Sequence, residues 1–173
     1  MSAAGSGADA RPLIVTLAVD EAAQARFDEE RARWFPPGRT AVGAHVTLFH
    51  AVPGDLEHEV RADLAAQAGP AFDVQVTEVL PLGRGAAYRL EAPELVARHR
   101  ALQRRWEPHL TPQDRQPLRP HVTVQNKVEK TEAARTVAAL RRGFRPVSIR
   151  AEGFLLWRYD GGPWTALARV PFG

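Results

Sequence analysis

Two nearly identical tetrapeptides, His45-Val46-Thr47-Leu48 and His121-Val122-Thr123-Val124, lie in separate halves of this 173-residue chain. Each places an imidazole and a hydroxyl two residues apart, a spacing that brings both side chains to one face of an extended strand. A single copy would carry little information, but two copies in similar surroundings indicate an internal repeat. If the halves fold alike, their motif strands can meet across a pseudo-two-fold axis and direct two histidines and two threonines into one cleft.

Hydrophobic periodicity and turn residues predict a strand for each motif, followed in each half by a helix and a hairpin. The predicted strands cover residues 11–19, 44–52, 71–80, 86–90, 119–128, 146–157 and 164–172. The predicted helices follow Asp20 and Asp55 or begin near Pro93 and Glu132. Because the hairpins imply antiparallel pairing, we expect an α+β fold that is bilobal and pseudo-two-fold symmetric. Two antiparallel sheets would line a central cleft with helices packed outside.

The domain prediction follows from the same pattern. Residues 1–10 are small and polar and are predicted to be a flexible tail, while residues 11–173 are predicted to form one bilobal domain of two similar lobes. No stretch approaches the roughly 20 apolar residues that span a bilayer, and no secretory signal pattern opens the chain. We therefore expect a cytoplasmic protein with no membrane partner, whose oligomeric state the sequence leaves open.

Composition limits the chemistry more than it identifies a partner. The chain has no cysteine, which excludes disulfides, thiolate nucleophiles and cysteine-ligated zinc. Its formal net charge of +3 and its pI near 9.9 suit a polyanionic partner. Only two of its 23 basic residues are lysines, however, and this arginine bias can reflect genome composition. The charge alone is a weak indicator of nucleic-acid binding.

Period-two alternation sorts the side chains around the motifs. The first cleft-facing set would be His45, Thr47 and Phe49, and the second His121, Thr123 and Gln125. The valines and leucine between them would pack beneath the sheet. His50 lies five residues after His45, an odd separation that predicts the opposite face and a structural or solvated role.

Two histidines can divide acid and base catalysis between them, because a neutral imidazole accepts a proton while an imidazolium donates one. Phosphodiester cleavage needs this division, since the attacking oxygen loses a proton and the leaving oxygen gains one on opposite sides of phosphorus. Thr47 and Thr123 would donate hydrogen bonds to the non-bridging oxygens. This interpretation requires neither metal nor cofactor.

The paired His-x-Thr-x motifs resemble those of the 2H phosphoesterase superfamily, in particular its 2′-5′ RNA ligase and cyclic phosphodiesterase branch. The resemblance covers roughly residues 13–172 and implies a pseudo-symmetric α+β fold around a cleft. It implies that His45 and His121 are the acid/base pair and that Thr47 and Thr123 bind phosphate. The expected substrates are 2′,3′-cyclic phosphates of RNA ends or of small nucleotides. It does not say which histidine is the acid.

Several alternatives remain at the level of sequence. The same residues would serve ATP-independent 2′-5′ RNA ligation, with a 5′-hydroxyl replacing water, and an RNA-binding module would need the threonines but no titrating imidazole. Phe49 is a possible base-stacking contact and Gln125 a possible base or phosphate contact. Arg119 and Lys127 flank the second motif and would attract a polyanion. A metal site is disfavoured because neither motif carries a carboxylate at a matching position.

Overall fold

The computed structural model describes residues 9–39 and 42–173. The predicted flexible tail falls mainly on residues 1–8, outside the described residues. Seven strands and four α-helices are present in this part of the chain. The strands are β1 (Leu13–Val19), β2 (Thr47–Val52), β3 (Phe72–Pro81), β4 (Ala86–Glu91), β5 (His121–Gln125), β6 (Val147–Tyr159) and β7 (Trp164–Pro171). The helices are α1 (Glu21–Trp34), α2 (Glu57–Ala66), α3 (Pro93–Trp106) and α4 (Lys130–Gly143).

The N-cap residue of α1 also contacts a strand that is distant in sequence. Asp20 is the N-cap, and its carboxylate accepts a hydrogen bond from the backbone N–H of Ala23 at 2.9 Å. It also accepts one from the backbone N–H of Arg150 in β6, at 2.8 Å. An N-cap of this kind contributes about 1 kcal/mol to the free energy of unfolding. Here it also fixes the direction in which α1 leaves the sheet.

All pairings in the sheet are antiparallel, in the order β2-β1-β6-β3-β4-β5, with β7 on β6. The long strand β6 joins two halves of this sheet. Its first part, 147–151, pairs with β3, and its second part pairs with β1 over 151–158 and with β7 over 153–159. The predicted α+β fold is confirmed, but the two predicted antiparallel sheets are two halves of one seven-stranded sheet that β6 joins.

The helices cover the two halves of the sheet separately. α1 packs against β5 and α4 against β3 and β4, while α2 contacts β7. α3 lies against β2, where its Trp106 ring contacts Phe49 with ring centroids 4.8 Å apart. The apolar residues of both halves form one continuous core. No helix in residues 9–39 and 42–173 has the length and apolar character needed to cross a bilayer.

Candidate active site

The two motif strands lie at opposite ends of the strand order, because β2 and β5 are its two edges. A cavity of about 350 Å³ is lined by Thr47 and Leu48 from the first motif, by His121 from the second, and by Arg119 just before the second motif. The sheet therefore curls until its edge strands face each other. The predicted meeting of the two halves at one cleft is visible in this shared lining.

The two motif histidines have the same hydrogen bond. Nδ1 of His45 lies 2.8 Å from the carbonyl oxygen of Gly43, and Nδ1 of His121 lies 2.8 Å from the carbonyl oxygen of Arg119. A carbonyl oxygen can only accept, so each Nδ1 carries the hydrogen that it donates. In the neutral ring the lone pair is then on Nε2. Each half of the chain holds its imidazole by the carbonyl two residues earlier and presents Nε2 for proton transfer.

His45 is the more enclosed of the two histidines. The ring of Trp164 lies beside it, with centroids 4.7 Å apart. Burial lowers the pKa of His45 below its ordinary value, and the charges of Arg31, His121 and His50 lower it further, against the opposing effect of the Gly43 carbonyl. His45 is therefore neutral at pH 7.

The motif threonines occupy equivalent half-buried positions. Thr47 lies between buried Val46 and Leu48, and Thr123 lies between the buried valines of the second motif. Alternation therefore holds through the first four residues of each motif, as the sequence predicts. Within the described part of the chain, neither threonine hydroxyl has a hydrogen-bond partner, so both hydroxyls are available to a ligand.

A β-bulge follows each threonine and ends the alternation. Thr16 and Val15, adjacent in β1, pair with Thr47 and Phe49, so Leu48 is an extra residue in β2. The second motif repeats this irregularity, because adjacent Ala87 and Ala86 in β4 pair with Thr123 and Gln125. An extra residue rotates the following side chain to the other face of the strand. The bulge is thus a second feature that the two halves share.

The bulges correct the prediction that Phe49 and Gln125 contact substrate. Phe49 is 0% exposed and Gln125 is 1% exposed. Phe49 is stacked on His99, with ring centroids 4.5 Å apart and an interplanar angle of 16°. His99 in turn donates its Nε2–H to the carbonyl oxygen of Leu48 at 2.9 Å, which satisfies the bulged residue. Phe49 is a core residue that supports the motif from below.

The same bulge corrects the placement of His50. Its side chain is exposed at the cavity that Thr47 and His121 line, where alternation predicts the opposite face. Its ring Nδ1 lies 3.0 Å from Oδ1 of Asp114, a buried residue of the segment before β5. Sequence reasoning misses this pair, because only the bulge brings His50 to the cleft side. Asp114 lies in a proline-rich segment, and no sequence pattern around it predicts its contact with His50.

A buried arginine connects the two halves behind the site. Arg31 of α1 donates from Nε to the carbonyl oxygen of Val42 at 3.2 Å and from Nη1 to that of Thr123 at 2.8 Å. Val42 lies just before the first motif, and Thr123 belongs to the second. Sequence reasoning places Arg31 on a predicted helix and gives it no role. The structure makes it a bridge between the two motifs.

A second, larger cavity is lined by His45. It measures about 620 Å³ and is lined in part by Thr16, Trp157 and Arg169. Trp157 donates its Nε1–H to the hydroxyl of Thr16 at 3.0 Å and meets Trp164 edge to face. Among the described residues no group of three or more histidine and carboxylate side chains has an arrangement that holds a metal ion.

Comparisons with known proteins agree with this architecture. The family model described as the 2′-5′ RNA ligase superfamily matches residues 19–163. No curated protein sequence matches significantly.

Among solved structures, protein TT0787 of Thermus thermophilus is 20% identical with a TM-score of 0.67, covering 93% of this chain and 97% of that one. E. coli LigT complexed with 3′-AMP is 16% identical with a TM-score of 0.63, covering 95% and 99%. A structure described as a phosphoesterase is 19% identical with a TM-score of 0.64, covering 95% and 99%.

Proposed function

Because this chain belongs to the 2′-5′ RNA ligase superfamily, we propose that it is a metal-independent phosphoesterase that opens 2′,3′-cyclic phosphates of RNA ends or nucleotides. His45 and His121 act as the acid/base pair, and Thr47 and Thr123 bind the phosphate. The observation that carries the proposal is the identical hydrogen bond from each histidine Nδ1 to the carbonyl two residues earlier. This arrangement leaves two Nε2 atoms, one from each half, free for proton transfer.

The proposed reaction is an in-line displacement at phosphorus. Water attacks the phosphorus atom and loses a proton to one histidine. The bond from phosphorus to one ribose oxygen breaks, and the other histidine protonates that oxygen. The hydroxyls of Thr47 and Thr123 donate to the non-bridging oxygens and stabilise the charge that develops there. The products are a phosphomonoester and a free ribose hydroxyl.

The lowered pKa of His45 supports an assignment of the two roles. A base must be unprotonated before the step, and burial keeps His45 neutral. We therefore assign His45 as the general base in hydrolysis and His121 as the general acid. The rings exchange these roles in the reverse direction, where a ribose hydroxyl attacks and the leaving oxygen is protonated by His45.

A second candidate function is 2′-5′ RNA end joining without a nucleotide cofactor, which the family description favours. It uses the same four side chains, with a 5′-hydroxyl in place of water. E. coli LigT forms complexes with 3′-AMP, phosphate, NADP⁺ and ATP. These ligands support nucleotide or phosphate binding for this chain under either proposal.

The test is incubation with an oligonucleotide that ends in a 2′,3′-cyclic phosphate, in the presence of EDTA. We expect turnover by the wild type and a loss of at least about a hundredfold in kcat for each of His45→Ala and His121→Ala, since general acid–base catalysis contributes about 10²–10⁴. His58→Ala, on the exposed surface of α2, is the matched control and should retain full activity.

The outcomes separate the candidates. Turnover that survives either motif substitution contradicts the two-histidine mechanism, and turnover that requires added metal contradicts metal independence. Joined products with a 2′-5′ linkage would identify the ligase. Binding of the oligonucleotide with no turnover in either assay would identify an RNA-binding module in its place.

A further inference from the structure

The cavity beside His121 contains polar groups that the proposed chemistry does not use. Besides Thr47 and His121, its lining includes the side chains of His50 and Arg119. An imidazole and a guanidinium therefore lie next to the proposed phosphate position. Groups of this kind bind anions through charge-assisted hydrogen bonds.

His50 is held in one orientation by Asp114. The Asp114 carboxylate accepts from the His50 ring Nδ1 at 3.0 Å, and from the backbone N–H groups of His50 and Ala51 at 2.9 Å each. Burial alone would raise the pKa of Asp114, but these hydrogen bonds hold it below its ordinary value, so the carboxylate stays ionised. The Asp114 side chain is 1% exposed and that of His50 is 46% exposed. With Nδ1 turned inward to Asp114, the ring presents Nε2 on its open side.

Arg119 is available to a ligand. It is exposed, and within the described residues its side chain makes no ion pair or hydrogen bond. Its backbone carbonyl holds Nδ1 of His121, so the guanidinium extends from the residue that positions this histidine. Asp114 is the one carboxylate in the described lining of the cavity, and its oxygens are already hydrogen-bonded. The remaining polar surface favours an anion.

We propose that His50 and Arg119 form a second anion subsite, which binds the 5′-phosphate of the nucleotide whose cyclic phosphate lies between His45 and His121. This inference rests on the proposed function and narrows its substrate to nucleotides with a further phosphate, as at an RNA 3′ end. Nε2 of His50 is the ring atom that faces that phosphate, while Nδ1 stays hydrogen-bonded to the ionised Asp114 carboxylate. Arg119 supplies the second contact.

The experiment compares two substrates that differ by one phosphate: adenosine 2′,3′-cyclic phosphate and the same compound carrying a 5′-phosphate. We expect the wild type to prefer the 5′-phosphorylated substrate by about tenfold or more in kcat/KM, mainly through KM, because each charge-assisted contact is worth about a factor of ten. His50→Gln and Arg119→Gln should each reduce this ratio towards one. Arg100→Gln, an exposed arginine of α3 outside this cavity, should keep it.

A binding measurement keeps the test independent of turnover. Calorimetry with adenosine 3′-phosphate and adenosine 3′,5′-bisphosphate should show tighter binding of the bisphosphate by wild type and no such difference in His50→Gln. Equal affinities in the wild type overturn the subsite even if the protein is an active phosphoesterase. A preference in binding without turnover of either cyclic substrate supports the subsite and refutes the proposed activity. A fall in kcat on both substrates, with the ratio unchanged, would place His50 in the chemistry and overturn the subsite.

Discussion

At the scale of single residues, the site depends on how each motif histidine is held. Both rings donate Nδ1–H to a backbone carbonyl, but their environments differ, because His45 is packed beside Trp164 while His121 is exposed. Burial of one member of an otherwise symmetric pair lowers its pKa, and in the proposed mechanism this difference makes His45 the base and His121 the acid. The repeat provides two equivalent groups, and the packing of β7 makes them unequal.

We predict that Trp164→Ala moves the acidic limb of the kcat/KM profile to higher pH. The rate falls when His45 becomes protonated, and the lowered pKa keeps it unprotonated to lower pH. Removing the indole exposes the ring to water, so its pKa rises towards the ordinary imidazole value of about 6.5. The ratio of activity at pH 6 to that at pH 8 should therefore fall. Trp164→Phe keeps an aromatic ring beside His45 and should have the activity ratio of the wild type. An acidic limb at the same pH in Trp164→Ala and the wild type would refute this account.

At the scale of elements, each motif lies at the start of an edge strand, and a bulge directly follows its threonine. The bulge turns two successive residues, Leu48 and Phe49, towards the core and returns His50 to the cleft. The stack of Phe49 on His99 supports the bulge, since His99 also binds the carbonyl of Leu48. The motif is therefore held from below by α3.

We predict that Phe49→Ala lowers the free energy of unfolding by about 3–5 kcal/mol, the usual cost of removing a buried phenylalanine ring. Urea unfolding measures this change. Phe49→Leu should cost less and leave KM near that of the wild type, because the side chain lies in the core. A small loss of stability together with a raised KM would instead support the interpretation of Phe49 as a substrate contact.

At the scale of the whole molecule, two connections hold the halves in register. β6 pairs with strands of both halves of the sheet. Arg31 donates hydrogen bonds to the carbonyl oxygen of Val42, just before the first motif, and to that of Thr123 in the second motif. Catalysis between two groups depends on their separation to within about an ångström. A residue remote from the phosphate can thus control the rate by fixing where the two edge strands meet.

We predict that Arg31→Met reduces kcat at least about tenfold at a temperature where circular dichroism shows the variant to be fully folded. The substitution leaves the carbonyl oxygens of Val42 and Thr123 without their charged donor, which costs about 1.5–3 kcal/mol per contact. Arg33→Gln, on the exposed side of the same helix, is the matched control. A folded Arg31→Met variant with the kcat of the wild type would show that the bridge does not position the motifs.

Local patterns in the sequence were sufficient to predict the helices and strands and the alternation of side chains within each four-residue motif. Strand and helix positions follow from hydrophobic periodicity, and the paired motifs indicate the repeat and the family that the matching model confirms. The misplacements of Phe49, Gln125 and His50 have one origin. Each lies beyond the bulge, where counting by two assigns the wrong face.

The sequence by itself thus determined the α+β fold class, the repeated His-Val-Thr and the alternation within it. Only the tertiary structure decided which residues after each threonine face the cleft and that Asp114 orients His50. It also decided that Trp164 encloses His45. The physical reason is that alternation is a property of one strand, whereas a bulge is set by hydrogen-bonding register with a partner strand distant in sequence. Burial and pairing of a titratable side chain likewise depend on segments that meet only when the sheet curls.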